Sequence, residues 1–169
     1  MPRSTLLVVA CALPLFSCAG TETAPTADFV PTGAVSGYWG NATFNATRVV
    51  GPKVNATLRG DGTWGGTIGS ENKALFHTFK DGTLNGPDFL LNISKTGDEL
   101  TITGQFQGRI LRFEANPTKL RVRTDTRSLD YVGDGKGVYQ GATTLTLSGD
   151  AVSLPPTVPF ALALVASFL

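Results

Sequence analysis

The chain has 169 residues, of which 41% are hydrophobic and 16% are charged, with 14 basic residues against 13 acidic ones. This even balance excludes a general nucleic-acid-binding protein, which needs a strongly basic face. The length is sufficient for one domain with a hydrophobic core of its own.

The chain begins with a short basic and then apolar segment. Arg3 precedes an almost wholly apolar run over residues 6–16. The run is too short for a membrane-spanning helix and has the layout of a secretory signal. If this segment is an ordinary signal peptide, it is cut near Gly20, and Cys18 is removed with it.

The residues that end this run, Leu15-Phe16-Ser17-Cys18, resemble the lipobox of bacterial lipoproteins. The resemblance implies cleavage before Cys18 and acylation of that cysteine. Ala19 follows where the family's inner-membrane retention signal would be aspartate, which favours the outer membrane. The division expected is a signal peptide (1–17), a lipidated cysteine with a Thr/Ala/Pro-rich tether (18–34) and a barrel domain (35–169).

Cysteine usage agrees with this division. Cys11 lies in the signal and Cys18 would carry lipid, so the mature chain has no pair of thiols for a disulfide or a metal. We expect no cofactor and no metal.

Residues 35–154 show hydrophobic alternation with a period of two, which is typical of half-buried strands. Val54, Ala56 and Leu58 are one example. Turn signals such as Asp61-Gly62 separate the strands about every 8–15 residues. This pattern predicts an all-β fold, a single antiparallel up-and-down β-barrel of about eight to ten strands, lipocalin-like or a similar small barrel.

Catalytic motifs are not found. His77 is the one histidine, and no serine or carboxylate motif beside it suggests a hydrolytic triad or a zinc site. Aspartates next to glycine, such as Asp61 and Asp134, are predicted to form turns. We predict a protein that is not an enzyme; the alternative is a barrel cyclase or isomerase with a buried carboxylate such as Glu114.

Aromatic residues along the strands belong either to the core or to a pocket. If the barrel is wide enough, we expect its interior to take a small apolar ligand. The predicted pocket residues are Trp39, Trp64, Phe76, His77 and Tyr139.

Basic residues concentrate between Arg109 and Arg127. Lys119, Arg121 and Arg123 alternate with apolar residues, which predicts one outward basic stripe. The stripe either contacts an anionic envelope glycan or lipid headgroup, or is a solvated face that discourages edge-to-edge pairing.

Residues 135–142, Gly-Lys-Gly-Val-Tyr-Gln-Gly-Ala, resemble a segment near the end of small barrels of the allene-oxide-cyclase and dirigent type. The resemblance implies glycines that let a strand bend tightly and an aromatic side chain that fills the barrel. It implies no catalytic residue.

The apolar tail, residues 155–169, has several interpretations. Phe160, Leu162, Leu164 and Phe168 alternate with smaller residues, which favours a strand that closes the barrel. Phe160, Leu164 and Phe168 also fit a helical spacing. A cleaved GPI-anchor signal and a strand of an outer-membrane barrel are further alternatives.

Together these observations indicate a lipoprotein of the cell envelope, held at the outer membrane by its lipid. Its barrel would bind a small apolar ligand, or scaffold envelope components, without catalysis. The expected partners are the membrane, such a ligand or an anionic glycan, and no nucleic acid. The alternative location is a eukaryotic cell surface, reached through a GPI anchor.

Overall fold

The computed structural model describes residues 28–38, 40–69, 73–78, 82–86 and 89–169, with segment 73–78 described by its backbone. These residues form fourteen strands, a short 3₁₀ helix (Asp150–Ser153) and one α-helix, α1 (Val158–Ala166). The strands are β1 (Gly33–Gly37), β2 (Gly40–Phe44), β3 (Arg48–Gly51), β4 (Val54–Leu58), β5 (Trp64–Ile68), β6 (Lys73–Thr78), β7 (Thr83–Gly86), β8 (Phe89–Thr96), β9 (Glu99–Phe106), β10 (Arg109–Asn116), β11 (Lys119–Thr124), β12 (Ser128–Gly133), β13 (Val138–Gln140) and β14 (Thr144–Gly149).

Each strand pairs antiparallel with its neighbours along the chain, and β1 also pairs with β14, so the strand order closes into a barrel. Pairing around the ring is uneven: among the described residues, two residue pairs each join β2 to β3, β6 to β7 and β12 to β13. The predicted all-β, up-and-down architecture is confirmed. The predicted eight to ten strands are too few, because strands as short as β3, β7 and β13, with four, four and three residues, show too little alternation to be recognised in the sequence.

The hydrophobic core lies inside the barrel. Along β8, the buried side chains of Phe89, Leu91 and Ile93 alternate with exposed Leu90 and polar residues. The same alternation in the other long strands directs one apolar row inward and one mostly polar row outward.

Helix α1 is enclosed by this core. Pro159 is buried, and all residues from Phe160 to Ala166 are at most 2% exposed, as expected for a helix that is apolar on every side. The Phe160 ring packs edge-on against Phe44 of β2, with the ring centres 6.0 Å apart. Beyond the helix, Phe168 packs against Phe113 of β10 in the same way. Side chains alone fill an eight-stranded barrel, so a fourteen-stranded ring needs further filling, and α1 supplies it.

The prediction that the tail forms a closing strand is wrong. Because β1 and β14 already pair, no strand edge is left for residues 160–169. A helix satisfies its backbone hydrogen bonds within itself and therefore suits an apolar interior. At its C-terminal end the buried Ser167 hydroxyl donates to the Leu164 carbonyl at 2.7 Å. In the described part of the chain, no helix is long and apolar enough to cross a membrane.

The chain enters the barrel interior at one end, which we call the base. There the Asp150 N–H donates to the Thr32 carbonyl at 3.0 Å. The Lys95 ammonium donates to the carbonyls of Ser153 and Leu154, at 2.7 and 3.1 Å. Leu154 itself has a left-handed backbone with φ of 50°. These contacts fix the point at which the chain turns inward.

Residues before the predicted boundary at residue 35 also contact the barrel. Strand β1 starts at Gly33, and the Thr32 N–H donates to the Phe44 carbonyl at 2.8 Å. The guanidinium of Arg48 lies over the Phe29 ring, 5.5 Å from its centre. Phe29 and Thr32 therefore contact the barrel, and the boundary between tether and barrel at residue 35 stays a prediction.

The connection between β9 and β10 offers a stabilising substitution. It consists of Gln107 and Gly108, with φ of 49° and 76°. Two left-handed residues make a type I′ turn, in which Asn-Gly is preferred. We expect Gln107→Asn to raise the free energy of unfolding by about 0.5 kcal/mol, measured by urea denaturation. Gln105→Asn, in the adjacent strand, serves as the control and should give no gain; equal gains from both would contradict the turn assignment.

Candidate functional site

The barrel end opposite the base contains a cavity of about 720 Å³, which we call the mouth cavity. Its border is formed by four connections between strands, which contribute Lys53, Gly69, Gln107 and residues 125–127, together with Thr124 at the end of β11. In an up-and-down barrel every second connection lies at the same end, so the topology brings these distant segments together. The last residues of the chain, Phe168 and Leu169, also line the cavity.

The floor of the mouth cavity is apolar. Phe106 and Leu111 are 5% and 6% exposed, and Phe168 and Leu169 are half-buried beside them. The Phe168 ring is held edge-on by Phe113, with the centres 5.5 Å apart. The end of the helical tail thus forms part of a fixed apolar surface that faces the cavity.

The rim of the mouth cavity is polar and shaped by the connection between β11 and β12. The Thr124 hydroxyl accepts hydrogen bonds from the N–H groups of Thr126 and Arg127, at 3.3 and 3.0 Å. The Thr124 N–H donates to the Arg127 carbonyl at 2.8 Å. These bonds give the turn a defined shape and place Asp125 and Arg127 at the rim.

The charges of the rim are predominantly basic. Three cationic side chains, those of Lys53, Arg109 and Arg127, line the cavity with one carboxylate side chain, that of Asp125. Among the described residues, both ion pairs lie elsewhere, on the outer face of the barrel: Arg112 with Glu114 and Arg121 with Asp130, each at 2.6 Å. None of the three cations at the rim forms an ion pair with a described residue.

The predicted pocket residues lie elsewhere as far as the structure describes them. Trp64 is buried in the core at 3% exposure, and its backbone pairs with that of Phe76. His77 pairs with Asn85, but its side chain and that of Phe76 lie outside the described residues, as does Trp39. Neither Trp64 nor Tyr139 lines the mouth cavity. Their role in ligand binding stays a prediction.

Tyr139 is a buried core residue whose hydroxyl donates to the Asn116 carbonyl at 2.9 Å. Burial, and secondarily the carboxylate of Asp134, raises the pKa of Tyr139 above its usual 10.0. The unfolded chain therefore loses this proton first, so the free energy of unfolding should fall as the pH rises above about 10. Urea denaturation across this pH range measures the effect. We expect the free energy of unfolding of Tyr139→Phe to fall less steeply with pH, and to be lower by about 1 kcal/mol near neutral pH because the hydrogen bond is lost. Parallel declines in the two proteins would contradict this.

The basic stripe is on the outer face, as predicted, because Lys119, Arg121 and Arg123 alternate with buried residues in β11. Arg121 is neutralised by Asp130, and its hydrogen bond lowers the pKa of that carboxyl. Lys119 and Arg123 are exposed. Contact of this stripe with an anionic glycan or headgroup stays a prediction.

The carboxylate considered for catalysis, Glu114, does not face the barrel interior. It lies on the outer face and accepts a hydrogen bond from Arg112 at 2.8 Å. Two of the aspartates predicted to form turns do so through their side chains: Asp61 accepts from the N–H of Thr63 at 2.9 Å, and Asp134 from the N–H of Lys136 at 2.7 Å. Among the described residues, no group of three or more His, Cys, Asp or Glu side chains could hold a metal ion.

Sequence reasoning did not identify the mouth cavity. Lys53, Leu111 and Leu169 were not singled out, and Arg109 and Arg127 appeared only as part of a basic segment. The detectable signal was the order of the hairpins, since their alternate connections must share one end of the barrel. The order of the hairpins assigns each connection to one end of the barrel only when the number of strands is correct.

Comparison with protein-family models, with curated proteins and with solved structures finds no match for this chain. The site is therefore interpreted from its own geometry and chemistry.

Proposed function

We propose that this chain is a lipoprotein of the cell envelope, at the outer membrane, whose barrel binds a small, largely apolar ligand without catalysis. The binding site is the mouth cavity. Scaffolding of envelope components through the basic stripe is compatible with this role, because the stripe lies on the outer face and leaves the cavity open.

The observation that carries the proposal is the apolar floor of the mouth cavity. Ligand sites are typically concave, of roughly 300–1,000 Å³, and mostly apolar with a few polar groups at defined positions. The mouth cavity, at about 720 Å³, lies in this range of size, and it combines an apolar floor with a rim that is more polar than in most such sites. Because α1 fills the barrel interior, the interior leaves no comparable space around Leu162 and Leu164.

Binding of N-phenyl-1-naphthylamine, an uncharged apolar fluorophore, tests the proposal. We expect saturable enhancement of its fluorescence and a loss of affinity of at least about tenfold in Thr126→Phe, which places a ring in the cavity. Thr118→Phe is the matched control, since both threonines donate their N–H to the side chain two residues before them. Thr118 lies at the base, and its variant should bind as the unmodified protein does. No saturable binding, or equal losses in both variants, would refute the proposed site.

The lipid anchor is tested separately, because Cys18 lies outside the described residues. The intact mass of protein from the membrane fraction should correspond to a chain that starts at an acylated Cys18. The variant Cys18→Ser should move the protein from the membrane to the soluble fraction, since the acyl chains supply the membrane affinity. A soluble unmodified protein that starts near Thr21 would rule out lipidation.

A further inference from the structure

We infer that the mouth cavity takes an amphiphile with an anionic headgroup, such as a long-chain carboxylate, whose chain lies on the apolar floor and whose head lies among the rim cations. This inference rests on the proposed function and names the ligand class of the same site. It is carried by the contrast between the rim and the outer face of the barrel.

The rim cations come from three separate parts of the barrel. Lys53 lies in the connection between β3 and β4, Arg109 begins β10, and Arg127 ends the connection between β11 and β12. Closure of the barrel brings these three cations to one cavity, where Asp125 is the one carboxylate side chain and the terminal residue Leu169 contributes its main-chain carboxylate. The excess of positive charge favours an anion at this position.

On the outer face, by contrast, two of the three arginines of β10 and β11 have a carboxylate partner, and the third, Arg123, is exposed to solvent. Arg112 and Arg121 each meet a carboxylate at 2.6 Å, whereas the three rim cations have no such partner among the described residues. An incoming carboxylate would form charge-assisted hydrogen bonds with them, and arginine presents a planar fork that suits a carboxylate.

The remaining lining fits the same class of ligand. Phe106, Leu111 and Phe168 offer a floor for an alkyl chain, and Gln107 and Thr126 offer neutral donors beside the cations. The anionic head of such a ligand thus matches the cationic rim, and its alkyl chain matches the apolar floor. A fully apolar ligand would leave the cations without a partner, and a small inorganic anion would leave the floor uncovered.

The test is displacement of N-phenyl-1-naphthylamine by decanoate, 1-decanol and decyltrimethylammonium, which share a chain and differ in charge. At about pH 7.5 decanoate is ionised, and we expect it to displace the probe at a concentration at least about tenfold lower than 1-decanol does. Decyltrimethylammonium should be the weakest of the three. The advantage of decanoate should shrink between about 0.05 and 0.5 M NaCl, because salt screens the rim charges.

Two variants test whether the rim cations cause the stronger displacement by decanoate than by 1-decanol. Arg109→Gln and Arg127→Gln should each reduce the preference for decanoate over 1-decanol by about threefold or more. Arg123→Gln removes the same charge from the outer face and should leave the preference unchanged. Equal effects of all three variants would overturn the inference in favour of a general surface charge.

The outcomes separate this inference from the proposed function. If the probe binds but decanoate and 1-decanol displace it equally, the anionic ligand class is wrong and the cavity remains a site for apolar ligands. If the probe does not bind, both fail. Binding to phosphatidylglycerol vesicles without displacement by decanoate would also overturn the inference, since a membrane surface and not a monomeric amphiphile would then meet the cations.

Discussion

Leu164→Asp should abolish cooperative folding, which is the largest effect expected for a single substitution in this protein. Leu164 is 1% exposed at the centre of the barrel, where a carboxylate would have neither water nor an ion-pair partner. An uncompensated buried charge costs several kcal/mol, which is comparable to the whole free energy of unfolding of a domain, about 5–15 kcal/mol. Circular dichroism during heating should show loss of the single sigmoidal transition.

Two further variants separate the effect of a buried charge from the loss of the leucine side chain and from the effect of a charge at an exposed position. Leu164→Ala should lower the free energy of unfolding by about 2–5 kcal/mol through the cavity that it creates, measured by urea denaturation. Val152→Asp, at an exposed position near the base, should change it by no more than about 0.5 kcal/mol. If Leu164→Asp melted like the unmodified protein, α1 could not lie inside the barrel.

Gly104→Ala is the second substitution with a large expected effect. Gly104 stands in the inward row of β9, between buried Leu91 of β8 and Leu111 of β10. A Cβ atom there would overlap the Leu90 carbonyl oxygen and lie 2.9 Å from the Leu91 Cα. Because both contacts are with backbone, the strands must separate, and we expect a loss of about 2 kcal/mol or more in the free energy of unfolding.

Gly60→Ala is the control for this substitution. Gly60 is exposed, has no atom within 4 Å of the added Cβ and does not have a left-handed backbone. Urea denaturation should show a change of no more than about 0.5 kcal/mol, or a slight gain from the stiffer unfolded chain. Equal losses in both variants would show that β8 and β9 do not approach as closely at Gly104 as described.

The fold class was predictable because the period of two is local information. Alternation in segments such as 89–94 identifies a strand and its buried face without any tertiary contact. The conformation of the tail was not predictable in this way. Phe160, Leu164 and Phe168 fit both a strand and a helix, and the choice depends on whether a strand edge is left for them. That is decided by the pairing of β1 with β14, between residues more than a hundred positions apart.

The candidate site was predictable only in part. The sequence shows that Arg109 and Arg127 belong to a basic segment, but not that they meet Lys53 at one end of the barrel. The sequence also does not show that Trp64 and Tyr139 are buried in the core. An aromatic residue in a strand gives the same sequence pattern whether it fills the core or lines a pocket. The width of the barrel decides between the two. It depends on the number of strands, which the sequence does not reveal where strands are as short as β3, β7 and β13.

Hydrogen exchange of the α1 amides, measured on the whole protein, tests most directly whether the tail fills the barrel and leaves the mouth as the site for a ligand. Amides in a core helix exchange only when the whole domain unfolds. We expect the amides from Ala161 to Ala166 to be as protected as those of Ile102 and Phe113 in β9 and β10. Rapid exchange of the α1 amides, at the rate of an isolated helix, while β9 and β10 remain protected would contradict this structure.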